Sequence, residues 1–191
     1  MSNRTDYVSV LPSLFDSKAL FVTNLNTTGD VWKKQNVNGN PSIYSMGMGL
    51  VTSVALGMAM SKPDRQVVSL EGDGSLLLDL SVLSTVGRAN VKNLLIICLD
   101  NKSYESIGGI PTHTDGFADL VGIARSSGIH ESYGVSNHVD LKHTIESHGL
   151  SHGKTAFINA VVKESDPATP VTEPTGKLNK YEFLKIMKSN K

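Results

Sequence analysis

The stretch Glu71–Ser106, EGDGSLLLDLSVLSTVGRANVKNLLIICLDNKSYES, decides the fold. It begins where the apolar run Gln66–Leu70 (QVVSL) breaks into Gly72-Asp73-Gly74-Ser75. It ends past a second apolar run, Leu94–Leu99, that breaks into Asp100-Asn101. Between the runs, Leu76–Ala89 puts Leu76, Leu80 and Leu83 on one face with Val86 beside them, the spacing of a helix. Gly87 continues that face and allows the helix end a close approach to the sheet. Strand, helix and strand make a parallel crossover, which returns both polar tips to one edge of the sheet. The runs are continuous rather than alternating, as in parallel strands covered on both faces. A carboxylate at one tip and a carboxamide at the next are hard oxygen donors. Together they suit a divalent cation that in turn holds a diphosphate. Gly74 and Ser75 open the helix, so their N–H groups can meet phosphate at its positive end, with the Ser75 hydroxyl adding a bond.

The same alternation extends outward. Upstream, Ala19–Leu25 (ALFVTNL) reads as a buried strand ending in the turn Asn26-Thr27-Thr28-Gly29, whose hydroxyls and glycine suit a ligand loop. Residues 30–41 are polar, with Trp32 and an Asn/Gly cluster, and read as loop. SIYSMGMGLVTSVALGMAM carries a helix that Pro63-Asp64 stops near Ser61, with Gly47 and Gly49 exposing backbone at its start. Ahead of all this, Arg4–Leu14 reads as a short helix interrupted at Pro12. Downstream, Asp100–Asp115 is a long polar loop of the kind that carries function. Phe117–Ser126 and Val139–Ser147 read as helices, and His130–Val135 and Thr155–Val162 as strands. The expected fold is α/β and doubly wound, a mainly parallel sheet with helices on both faces. Residues 1–163 form the diphosphate- and metal-binding domain. Residues 164–176 read as a linker with three prolines, and Asn179–Lys188 as a helix suited to docking on a neighbouring surface.

Composition narrows the partners. The 191 residues suffice for one full core; 39% are hydrophobic and 19% charged. Eighteen basic residues balance eighteen acidic ones, so no nucleic-acid partner is implied. No segment approaches membrane-spanning length and no apolar signal core opens the chain, so the expected address is the cytoplasm. Cys98, the lone cysteine, reads as a small buried hydrophobe, which leaves no disulfide framework.

A Gly-Asp-Gly after a buried strand, followed by a helix and a second strand ending in Asn, resembles the diphosphate-binding half of the thiamine-diphosphate enzymes. The resemblance covers nearly the whole chain and implies thiamine diphosphate and Mg²⁺ as cofactors. Matched residue by residue, it implies Asp73, Asn101 and the Ser103 carbonyl as metal ligands. Gly72, Gly74 and Ser75 fall beside the diphosphate, and Thr28 and Gly29 match a first-strand loop that approaches it. The Met46 carbonyl and Met48 N–H are implied to grip the aminopyrimidine, with the Met48 side chain beneath the cofactor. Tyr104 and Ser106 lie in the loop after the metal pair and join the cofactor-binding set. Two departures stand out: Asp100-Asn101 replaces an Asn pair, and Ser103 stands where a glycine is usual. The loop Glu105-Ser106-Ile107-Gly108-Gly109-Ile110-Pro111-Thr112 is similar to the xSxGGQPT of phosphonopyruvate and sulfopyruvate decarboxylases, with Ile110 replacing the glutamine.

That likeness implies a β-type subunit of a 2-oxo acid decarboxylase, releasing CO₂ and an aldehyde. The activating glutamate of such enzymes belongs to the other, pyrimidine-binding half, for which this chain has no room. The resemblance therefore implies an α-type partner subunit carrying that glutamate in a hetero-oligomer. Alternatives are an acetolactate-synthase-like carboligase subunit and a non-catalytic cofactor-binding regulatory module. No catalytic residue is assigned on this chain beyond His113, which sits in the glycine loop where it can reach an anionic substrate or donate a proton. His143, His148 and His152 share no helical face and read as solvated, and Glu105 reads as a solvated charge.

Overall fold

The computed structural model describes residues 1–25, 27–150, 153–163 and 176–189. The expected 164–176 linker, Asn26 and His152 thus lie almost wholly or wholly outside the described residues. The strands are β1 (Leu20–Asn24), β2 (Ser42–Met46), β3 (Val67–Gly72), β4 (Leu94–Asp100), β5 (Ser103–Tyr104), β6 (Ile110–Pro111), β7 (Glu131–Val135) and β8 (Thr155–Val161). The α-helices are α1 (Arg4–Ser9), α2 (Thr27–Gln35), α3 (Val51–Ser61), α4 (Asp73–Leu78), α5 (Ser81–Ala89), α6 (Leu120–Ser126), α7 (His138–Ser147) and α8 (Gly176–Ser189). Six strands form one parallel sheet in the order β2-β1-β3-β4-β8-β7, and β5 and β6 pair as a small antiparallel ribbon.

The sheet is covered on both faces, as its apolar runs require. All seven residues of β4 are buried, Cys98 among them. One core layer joins Phe21, Leu95, Ile97 and Ile158 to Tyr7 of α1, Trp32 of α2 and Leu141 of α7. The opposite layer joins Leu20, Leu94, Ile96 and Phe157 to Ala55 of α3, Leu83 of α5 and Leu120 of α6. Each fully buried Leu, Ile or Phe contributes about 1.5–3 kcal/mol relative to exposure. The chain leaves β1 toward β2 on one side and passes from β3 to β4 on the other. The carboxyl ends of β1 and β3 therefore flank a topological switch point, where open α/β sheets bind ligands.

Several elements differ from expectation. Residues 27–35, expected as turn and loop, form α2. Its Thr-Thr-Gly opening has poor helix propensity, but Trp32 stacks on Phe21 at 3.9 Å and donates to Ser42 Oγ at 2.9 Å. Burial of that indole outweighs propensity. Residues 42–46 are a strand rather than the approach to a helix. As an edge strand, β2 offers unpaired backbone groups, and Asn179 of α8 covers them: its side chain accepts from Tyr44 N–H at 3.1 Å and donates to the Ser42 carbonyl at 3.2 Å. The C-terminal helix thus docks on its own sheet. The helix expected over 76–89 is two helices, α4 and α5, broken at Asp79-Leu80. Gly87 serves close approach as expected, but to α6 rather than to the sheet: an added Cβ would lie 1.9 Å from the Ser127 carbonyl oxygen. The helix expected from Phe117 starts at Leu120, because Asp119 accepts from Gly122 N–H as its N-cap and leaves Phe117 fully exposed. Among the described residues no helix is long and apolar enough to cross a membrane.

Candidate functional site

A cleft of about 440 Å³ opens at the carboxyl ends of β1, β3 and β4. Thr28, Met48, Gly72, Asp73, Gly74, Ser75, Asn101, Ser103, Tyr104 and Ser106 all line it, so most of the sequence-derived set converges on one place. In the parallel register, Gly72 of β3 lies opposite Leu99 of β4. Asp73 and Asn101 therefore emerge one and two residues beyond that pair on neighbouring strands, as the crossover requires.

Asp73 starts α4 and is only 2% exposed. Its Oδ2 accepts from Thr112 Oγ1 at 2.6 Å and from Thr114 Oγ1 at 3.2 Å. Thr114 also reaches Asp100 Oδ1 at 2.7 Å, so one hydroxyl lies between two buried carboxylates. Asp100 is further held by Lys102 N–H on Oδ1 and by Asn159 Nδ2 on Oδ2. Burial, and then the Asp100 charge, push the Asp73 carboxyl above the usual range, while the Thr112, Gly74 and Thr114 hydrogen bonds oppose the rise. A buried acid under that pressure favours a cation beside it.

Asn101 sits at the end of β4, half-buried. Its Oδ1 accepts the Ser103 N–H at 3.2 Å and its Nδ2 donates to Glu105 Oε2 at 3.2 Å. Lys102 between them holds the left-handed conformation (φ 60°), which a non-glycine residue adopts only against a steric cost. In the β5–β6 ribbon, Lys102 and Tyr104 carbonyls accept from Thr112 and Gly109, and strand alternation turns the Ser103 carbonyl the other way. Gly74 is where the ring of Tyr104 comes to rest: a Cβ at position 74 would lie 2.6 Å from two ring carbons.

The donor set suits a hard divalent cation. Asp73 supplies one charged oxygen, Asn101 Oδ1 keeps a second lone pair, and the Ser103 carbonyl is a neutral third. Among the described residues no group of three or more His, Cys, Asp or Glu side chains could hold a metal ion. A cation here would thus take neutral amide, carbonyl and ligand oxygens beside a single carboxylate, the pattern of Mg²⁺ bound together with phosphate.

The Met46–Gly49 segment joins β2 to α3. Met48 faces the cleft, but Met46 packs under α3, and its carbonyl accepts Leu25 N–H at 3.2 Å. That carbonyl retains one lone pair for a ligand. The Ser75 hydroxyl, expected beside phosphate, instead accepts Gly49 N–H at 3.0 Å and lies against Glu71. Glu71 is 1% exposed and receives Thr52 Oγ1 at 3.0 Å and Thr52 N–H at 3.3 Å. Burial pushes its carboxyl up, with the Ser75 and Thr52 hydrogen bonds opposing. A chain of polar contacts thus ties the pyrimidine-side segment to the Gly-Asp-Gly turn.

Three further placements depart from the sequence reading. Gly29 does not line the cleft; its Cα packs against β1, where an added Cβ would lie 2.8 Å from the Asn24 carbonyl oxygen. His113 is exposed in a separate hollow with Pro111 and Phe117, outside the cleft. Glu105 is not a free solvated charge, since its Oε2 also accepts from Arg4 Nη2 at 3.1 Å. Arg4, Glu105, Thr112 and Thr114 were not placed at the site from sequence. The Arg4–Glu105 and threonine–Asp73 pairings span long stretches of chain, although Glu105 and the threonines sit in or beside a recognisable glycine loop.

Residues 29–160 match the family model described as "Thiamine pyrophosphate enzyme, C-terminal TPP binding domain". The chain is 30% identical to the sulfopyruvate decarboxylase subunit beta of Methanocaldococcus jannaschii over 84% of its own length and 78% of that protein. It is also 30% identical to the sulfopyruvate decarboxylase of Methanosarcina acetivorans, over 87% of its own length but 42% of that longer protein. Among solved structures, the thiamine diphosphate-dependent 4-hydroxybenzoylformate decarboxylase of Rhodococcus jostii RHA1 shares the fold. Its TM-score is 0.68 at 19% identity, over 86% of this chain and 33% of that one.

Proposed function

The chain belongs to the thiamine pyrophosphate enzymes, whose C-terminal cofactor-binding domain it matches, and on that premise we propose that it is the β-type subunit of a thiamine-diphosphate-dependent 2-oxo acid decarboxylase. The observation that carries the reading is that Asp73, Asn101 and Ser103 line one cleft beside the switch point, large enough for a cofactor. Asp73, Asn101 Oδ1 and the Ser103 carbonyl would hold Mg²⁺. Thr28, Gly74 and Ser75 line the cleft, and the Gly74 and Ser75 N–H groups and the Thr28 hydroxyl would donate to the diphosphate. Met48 would support the cofactor from below, its position set by the Gly49–Ser75–Glu71 contacts. When bound, thiamine diphosphate supplies the electron sink for loss of CO₂, and the protein binds and orients.

The substrate class is a 2-oxo acid with a second anionic group, 3-sulfopyruvate or 3-phosphonopyruvate. Support comes from the sulfopyruvate decarboxylases above and from the Ser106–Thr112 loop. The partner is an α-type subunit that brings the pyrimidine-binding half and the activating glutamate. The coverage of 42% of the Methanosarcina acetivorans protein fits a chain that is one half of such an enzyme.

The test is to purify the chain with its candidate partner, add thiamine diphosphate and Mg²⁺, and measure CO₂ release from 3-sulfopyruvate, 3-phosphonopyruvate and pyruvate. Release from one of the first two is expected, with neither subunit active alone. If none of the three is turned over, the decarboxylase reading fails.

A further inference from the structure

We infer that Glu105, anchored by Arg4, is the positioning residue that fixes the Asn101 amide with its oxygen available to metal; this rests on the reading of Asp73, Asn101 and Ser103 as a divalent-cation site. An asparagine amide is nearly symmetric in shape but not in chemistry: one end only accepts and the other only donates. Turned the wrong way, Asn101 would present an NH₂ group to the cation. Each end has its own partner here. The Ser103 N–H, a donor, faces Oδ1, and the Glu105 carboxylate, an acceptor, faces Nδ2. A flip would break both contacts at once and put oxygen against oxygen.

Glu105 is itself held. Its Oε2 takes the Arg4 Nη2 proton at 3.1 Å, and the Arg4 side chain is 6% exposed. Arg4 begins α1, whose N-terminus is closed by a reciprocal Asn3–Asp6 capping box. The Arg4 Nε and Nη1 atoms are buried without another partner, so Glu105 supplies the hydrogen-bonded contact of that guanidinium. Glu105 Oε2 thus accepts from the Arg4 guanidinium and the Asn101 amide together.

Charge gives the pair a second consequence. Arg4 is the cation among the described residues lining the cleft, against the carboxylates of Asp30, Asp73 and Glu105. Unpaired, Glu105 would repel a diphosphate beside Asn101. Paired with Arg4, it orients the amide without adding net negative charge.

The test uses the full chain and follows Mn²⁺ binding at saturating thiamine diphosphate, read by the electron paramagnetic resonance of free Mn²⁺. Glu105→Ala should weaken Mn²⁺ binding about 10–100-fold, the usual scale for losing a group that orients a ligand. Glu105→Gln should recover most of that loss, because both contacts land on one oxygen, which glutamine keeps. Arg4→Met should also weaken binding, and Arg4→Met/Glu105→Ala should be no weaker than Glu105→Ala alone, since Arg4 acts through Glu105. Unchanged thermal unfolding of Glu105→Ala would separate orientation from folding; if that variant unfolds, Arg4→Met, expected to weaken binding, and Glu105→Gln, expected near wild type, still decide, and wild-type binding in Arg4→Met overturns the inference. Wild-type affinity in Glu105→Ala, no advantage of Gln over Ala, or additive losses in the double variant would each overturn the inference. A wild-type chain that binds no Mn²⁺ would overturn the cation-site reading along with it.

Discussion

The turn after β3 and the loop after β4 deliver the two side chains of the candidate cation site, yet they hold them by different means. Asp73 is clamped by Thr112 and Thr114, 39 and 41 residues on. It starts a helix, is 2% exposed, and takes two threonine hydroxyls on one oxygen. Asn101 is half-buried on a ribbon and is aimed by a carboxylate four residues on, which is itself tied to the chain's first helix. The charged donor only accepts, at either oxygen, so burial and hydroxyl donors hold it. The neutral amide has two ends of opposite chemistry, so it needs a partner for each. The difference lies in the kind of partner: the carboxylate needs donors alone, and the amide needs a donor at one end and an acceptor at the other.

The largest expected effect breaks the clamped side. Asp73→Ala removes the single anionic donor and should cost at least about 100-fold in Mg²⁺-dependent thiamine diphosphate affinity by titration calorimetry. Next is Thr114→Val, which keeps side-chain shape but takes away the hydroxyl between Asp73 and Asp100. We expect about 1–3 kcal/mol lost from chemical denaturation stability, the scale for leaving buried acceptors unmet. The Asp73 carboxyl should rise further, so the pH at which metal binding develops should move upward. In Thr112→Val, Asp100 keeps its Thr114 contact, but Asp73 loses its shorter hydrogen bond, the largest one opposing the rise, so the upward shift should be larger.

Glu71→Gln sharpens the comparison from beneath the turn. The folded-state carboxyl of Glu71 is raised by burial, so the stability it contributes is fully present below its unfolded value. That stability is lost as pH rises through the folded value. Glutamine mimics the protonated form at every pH. The variant should therefore match wild type in mild acid and gain on it toward neutral pH. A gain of about 1 kcal/mol would move the unfolding midpoint roughly 2–4 °C. An unfolding difference that stays flat with pH would remove the buried-acid account of the Glu71–Ser75–Gly49 chain. The smallest effect belongs to His113→Ala. With His113 exposed outside the cleft, cofactor affinity should change no more than about twofold, the range of ordinary surface substitutions.

Much of the frame was legible in the sequence because its signals are local. The run Leu94–Leu99 is apolar at every step, as in a strand covered on both faces, and Gln66–Leu70 carries the shorter apolar run that pairs with it. Gly72-Asp73-Gly74 and Asn101 then fall at one sheet edge by topology alone. What stayed hidden depends on contacts distant in sequence. The segment Thr27–Gln35 lacks helix propensity and becomes α2 because Trp32 fits beside Phe21. The strand Ser42–Met46 runs into a glycine-rich segment and shows its pairing only beside β1. The Ser75 hydroxyl, an apparent phosphate donor, is taken by Gly49 and Glu71.

Sequence by itself determined the parallel sheet, the edge on which a site must lie, and the donor types suited to a cation and a diphosphate. Periodicity and side-chain chemistry are properties of short segments, so they survive without coordinates. Only the tertiary structure decided which oxygen and which amide end face the cleft. Orientation depends on the partner opposite, and for Glu105 that partner is Arg4, 101 residues away along the chain.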